Sequence, residues 1–135
     1  MPKQQTYEKT THGISVSVVP EYLEDQSDPK DGQFTWAYHV QIENIGTQTI
    51  QILTRHWKIT NIRGECHEVI GDGLVGKQPV LGPGDSFTYT SGTPLTTPSG
   101  FMSGTFQAVA EGGKILDLEV PDFSLDSPGT GRALH

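Results

Sequence analysis

The chain has 135 residues, with 16 acidic against 9 basic side chains and a formal net charge of −7. That length suits one domain with one core, and the negative balance argues against nucleic acid, whose phosphates would be held against net repulsion. The lone Cys66 excludes an intrachain disulfide framework, so hydrophobic packing has to hold the fold.

The start, from Met1 to Lys9, lacks the apolar stretch of a signal peptide, and no run approaches the roughly eighteen apolar residues that span a bilayer. A cytoplasmic protein without membrane insertion is expected. Alternation begins at Ile14, Val16 and Val18, set among serines, which is the first expected strand. Glu24, Asp25, Asp28 and Asp31 then gather in a polar loop ending at Gly32. Without EF-hand spacing, this loop reads as a solvated, mobile connection.

Phe34, Trp36, Tyr38, Val40 and Ile42 alternate with polar or small residues and give the clearest strand. Between Thr49 and Ile62 the apolar parity changes from Ile50 and Ile52 to Trp57 and Ile59. A regular strand cannot do this, so a bulge or change of sheet near Arg55 and His56 is expected. Trp57 and, further on, Tyr89 are expected in the core by their parity. Cys66 and His67 are adjacent on a strand and point to opposite faces, which favours a buried cysteine beside an exposed histidine over a metal pair. His12, His39, His56, His67 and His135 share no ligand spacing, and no metal or cofactor is expected.

The segment from Gly71 to Asp85 contains a G-x-G-x-x-G spacing at Gly71, Gly73 and Gly76. In a dinucleotide fold these glycines would open a helix whose N–H groups hold pyrophosphate. Pro79, Pro83 and Gly84 follow instead, with no helical pattern downstream, so the glycines belong to a shaped loop in an all-β protein. Gly71, Asp72, Gly73, Val75, Gly76, Lys77, Gln78 and Pro79 are the candidate binding residues. Two occupants suit them. A backbone nest supplemented by Lys77 would hold phosphate or a nucleotide. A protein partner would instead meet Gln78 and the glycine backbone, beside an open strand edge to which a peptide or a second copy can add a strand as a homodimer.

Phe87 and Tyr89 mark a later strand, and Leu116, Leu118 and Val120 mark the last. Ser91 lacks the G-x-S-x-G elbow of a hydrolase nucleophile, and no catalytic residue is assigned, so a non-enzymatic protein is expected. Turn chemistry at Asn44-Ile45-Gly46, Asn61-Ile62-Arg63-Gly64, Pro83-Gly84-Asp85, Pro98-Ser99-Gly100 and Glu111-Gly112-Gly113 separates the strands at short intervals. The expectation is an all-β sandwich of about seven to eight antiparallel strands, immunoglobulin-like or fibronectin type III-like. The fibronectin type is preferred because it needs no disulfide. Residues 1–125 would form the single domain and 126–135 a flexible tail.

The run Gly71-Asp72-Gly73-Leu74-Val75-Gly76-Lys77-Gln78-Pro79, continued by Val80-Leu81-Gly82-Pro83-Gly84 and then Phe87-Thr88-Tyr89-Thr90-Ser91-Gly92, resembles the signature of the ApaG family. Pro20-Glu21-Tyr22-Leu23, Ile42-Glu43-Asn44-Ile45-Gly46, Arg55-His56-Trp57-Lys58-Ile59-Thr60 and Gly100-Phe101-Met102-Ser103-Gly104-Thr105-Phe106 agree with it in order, so the resemblance runs from about Gly13 to Leu125. It implies a fibronectin type III-like sandwich and an association with cobalt resistance and with magnesium or cobalt efflux. Because no span crosses a membrane, that role would pass through a partner. Similar domains fused to F-box and polymerase-interacting proteins imply an interaction module, of partner unknown. The family offers no catalytic residues to carry over, and Gly71, Gly73 and Gly76 match its glycine motif.

Overall fold

The computed structural model describes residues 5–128, so residues 129–135 of the expected tail, His135 among them, lie outside the described residues. Nine strands are present among the described residues: β1 (Tyr7–Thr11), β2 (Ile14–Tyr22), β3 (Phe34–Asn44), β4 (Ile50–Asn61), β5 (Cys66–Asp72), β6 (Val80–Leu81), β7 (Ser86–Leu95), β8 (Ser99–Ala110) and β9 (Ile115–Asp126). One sheet runs β1-β2-β3-β7 and the other β5-β4-β8-β9, with β6 pairing β4 beyond the end of β5. Every pairing is antiparallel. This is the two-sheet sandwich expected, and β9 extends through Asp126, one residue past the expected domain end.

The strands beyond the expected seven or eight are those with weak alternation. β1 buries little beyond the side of Tyr7, and β5 is exposed along most of its length. Both are edge strands with one neighbour each, so few of their side chains need be apolar. Cys66 is exposed, as is His67, which corrects the expectation of a buried thiol. The cysteine stands at the start of β5, an edge strand with a single neighbour. The acidic segment forms two 3-10 turns, Glu24–Gln26 and Pro29–Asp31, tied back by an Asp28–Gln33 bridge.

The inner faces interlock around Trp57, which is 1% exposed. Its ring lies 5.1 Å from Tyr38, 5.7 Å from Phe106 and 6.1 Å from Phe123, the last two edge-on. Tyr38 comes from one sheet and Phe106 and Phe123 from the other, so the indole ties the layers together. Gly104 makes room for it, since a Cβ there would lie 2.8 Å from Trp57 Cε3. Tyr89 is half-buried and packs against this core.

A polar joint reinforces the layers at one end. Asn44 is fully buried, and its Nδ2 donates to the carbonyls of Gln48 at 2.7 Å and Leu81 at 2.9 Å. Its Oδ1 accepts from the Gly46 N–H at 3.0 Å. Through Leu81, the end of β3 in one sheet holds β6 in the other.

The parity change in β4 comes from a bulge. Pairing with β8 passes from Ile52↔Ala108 directly to Thr54↔Gln107, leaving Leu53 unmatched. The extra residue turns the following odd positions, Trp57 and Ile59, inward. The bulge therefore sits at Leu53, slightly before Arg55 and His56, where the sequence pattern had placed it.

Candidate functional site

The bulge at Leu53 is the base on which the glycine segment is built. Gly71 and Asp72 end β5 as strand residues, and the excursion proper runs from Gly73 to Pro79 before β6 resumes the edge. The Leu53 carbonyl accepts from the Gly73 N–H at 2.7 Å and from Gln78 Nε2 at 3.0 Å. Ile52 N–H donates to the Pro79 carbonyl at 3.1 Å, and Gln51 Nε2 donates to the Gln78 carbonyl at 3.2 Å. Both ends of the excursion are thus pinned to β4. Gln78 has an exposed side chain, but its amide serves this clamp.

Within the excursion the chain makes a miniature hairpin. Leu74 N–H donates to the Lys77 carbonyl at 2.7 Å, and Lys77 N–H returns to the Leu74 carbonyl at 3.2 Å. Val75 and Gly76 are the two turn residues, with φ of +52° and +83°. Two positive φ angles in a two-residue hairpin are the signature of a type I′ turn, which favours Asn, Asp or Gly. A β-branched residue there is strained. Leu74 is 1% exposed and anchors the hairpin in the core, while Val75 is 57% exposed at its tip.

The glycines have different jobs. A Cβ on Gly71 would lie 2.9 Å from the Arg55 guanidinium, which crosses the backbone there. Arg55 Nη1 donates to the carbonyls of Asp72 at 2.9 Å and Gly73 at 3.1 Å, neutralising two acceptors at the strand end. Gly73 has φ of +59°, and a Cβ on it would overlap the Lys77 carbonyl oxygen. Gly76 needs only its positive φ, with nothing near the position a Cβ would take.

A phosphate nest needs N–H groups that converge and stay free. Gly73, Leu74 and Lys77 donate to backbone carbonyls as described, and Gly76 N–H donates to the Asp72 carbonyl at 3.3 Å. Those four donors are engaged within the protein. Lys77 is exposed, with Asp72, also exposed, at the other end of the hairpin. Beside the hairpin the edge is apolar: Ile70 is 71% exposed and Val80 61%. With Val75 they line the outer rim formed by β5, the hairpin and β6.

A second polar arrangement, on the outer face of the other sheet, was not legible in the sequence. His39 Nδ1 lies 2.8 Å from Thr90 Oγ1, and Nε2 lies 2.8 Å from Glu21 Oε1. The trio superficially has the order of a nucleophile, base and acid. Thr90 stands on the face of a sheet, however, whose backbone N–H groups lie in the sheet plane, so none is aimed at an oxyanion formed there. Only the register, which sets His39 opposite Thr90, brings the trio together. Among the described residues no group of three or more His, Cys, Asp or Glu side chains could hold a metal ion.

The family model for the ApaG domain matches residues 24–110. The chain belongs to the ApaG domain family. It is 54% identical over 122 residues to protein ApaG of Rhodospirillum centenum, covering 90% of this chain and 94% of that protein. It is 56% identical over 122 residues to protein ApaG of Paramagnetospirillum magneticum, with the same coverage. The putative ApaA protein from Bordetella pertussis has a similar structure, with a TM-score of 0.83 at 45% identity, covering 85% of this chain and 94% of that one. The C-terminal domain of wzt, at 12% identity and a TM-score of 0.53, shares the fold alone. The matched ApaG segment includes the Leu53 bulge, Arg55 and the whole hairpin.

Proposed function

We propose that this ApaG domain is a non-enzymatic, cytoplasmic interaction module that receives a protein partner along the β5, hairpin and β6 edge. The observation that carries the reading is the combination at the rim: exposed Ile70, Val75 and Val80 beside an open strand edge, with Val75 held at positive φ. An edge strand has unpaired N–H and C=O groups for an added strand, and strain kept at an exposed tip suits recognition better than stability. The engaged donors of the hairpin speak for a protein rather than a phosphate occupant.

Any connection to cobalt or magnesium homeostasis would then run through the partner. Among the described residues no helix is long and apolar enough to cross a membrane. Homodimerisation through β5 is one form the same edge contact could take.

The exposed Cys66, at the start of β5, supplies the test. A photo-crosslinker attached there should trap a discrete partner from the source cell, or a second copy of the chain. Ile70→Lys and Val80→Lys, both at exposed positions, should remove the adduct while leaving the circular dichroism spectrum unchanged. An adduct that survives both substitutions would take the edge out of the proposal.

A further inference from the structure

Across the sandwich from that edge, where the ends of β2 and β9 meet the start of β3, the surface opens into a cavity of about 380 Å³. Its walls include Tyr7, Tyr22 and Trp36, and Glu21, Glu24 and Asp126 also line it. Tyr22 and Trp36 are register partners, which sets their rings 5.3 Å apart and edge-on at 65°. Trp36 is 5% exposed and forms buried wall, whereas Glu24 and Asp126 are exposed at the rim. The Glu21 carboxylate is already held by His39 at 2.8 Å. Glu24 and Asp126 have no ion-pair partner among the described residues.

Aromatic walls attract a cation through their ring quadrupoles, and uncompensated carboxylates add a field of the same preference. A primary ammonium or a guanidinium brings N–H groups that need acceptors at close range, and burying one unpaired is unfavourable. A quaternary ammonium has no N–H to satisfy. It is held by charge and dispersion alone, which is what aromatic walls with carboxylates at the rim offer. We infer that this cavity is a binding site for a quaternary ammonium group. The site is independent of the β5 edge, and neither stands or falls with the other.

The test titrates the full chain with tetramethylammonium chloride at constant ionic strength, exchanging it for sodium chloride, and follows the Trp36 indole and Tyr22 ring resonances. Saturable shifts are expected at both rings. Glu24→Gln combined with Asp126→Asn removes two exposed charges without touching the core, and should weaken binding roughly fivefold. Tyr22→Leu should abolish saturation. A blocked peptide carrying trimethyl-lysine separates the sources: tighter binding than tetramethylammonium assigns the group to a protein, and equal or weaker binding to a free compound. Shifts that follow sodium chloride equally would overturn the inference. So would an unmodified lysine peptide binding as tightly as the trimethylated one, or unchanged affinity in the folded double variant.

Discussion

Replacing Val75 with asparagine should make the protein more stable. Val75 occupies the first position of a type I′ turn at φ +52°, where an L side chain with a β-branch meets its own backbone. The left-handed region costs an ordinary L residue about 1–2 kcal/mol, and asparagine tolerates it far better. Because the valine is 57% exposed, little apolar burial is lost in exchange. The net gain should be about 1 kcal/mol, or about 4 °C in Tm for a domain of this size. Urea unfolding followed by tryptophan fluorescence gives the midpoint and slope for both proteins, and the slope should not change. The same variant should lose the Cys66 adduct in the crosslinking assay, gaining stability as it loses recognition. A midpoint unchanged or lowered would show that the tip is unstrained and would remove the argument for a selected valine.

The glycines of the motif should respond unequally. Gly73→Ala forces a Cβ into the Lys77 carbonyl and should destabilise by about 3 kcal/mol, while Gly76→Ala meets only the φ penalty of about 1 kcal/mol, both read from urea midpoints. Arg55→Ala removes two charge-assisted hydrogen bonds to the Asp72 and Gly73 carbonyls and should destabilise by about 1–2 kcal/mol, with faster amide exchange confined to the end of β5 and the hairpin. Burial raises the phenol pKa values of Tyr38 and Tyr89 above the ordinary 10.0. Above that pH the unfolded chain releases protons that the folded one keeps, so stability should hold below about pH 10 and decline as the pH rises further. Tyr89→Phe should make that alkaline decline shallower, and an equally steep decline would show that Tyr89 is not responsible.

The strands Phe34 to Ile42 and Leu116 to Val120 were legible because each buries one whole face in the core and so alternates strictly. β1 and β5 were less so, since an edge strand answers to one neighbour and one layer. The parity change in β4 announced a bulge, but parity alone locates it only within the stretch from Leu53 to His56. At the glycine segment, sequence correctly denied a helix. It could not distinguish Leu74, a core anchor, from Val75, an exposed tip, because one residue of turn geometry reverses them. Nor could it foresee that Arg55, eighteen positions before Gly73, would cap the strand end. The Tyr7, Tyr22 and Trp36 cavity depends on the meeting of the ends of β1, β2, β3 and β9, and spacing along the chain carries no trace of it.

The bond from Asn44 to Leu81 also has a consequence for how the rim comes into being. β4 and β5 form a local hairpin that can pair early, but β6 is two residues long and leans on a side chain from the opposite layer. The distal half of the rim is paired to β4 but therefore gains this last anchor only once the two layers have closed on each other. A chain still partly unfolded has no finished surface to offer, so a partner that reads Ile70 and Val80 together would discriminate between mature and immature copies without any separate checkpoint.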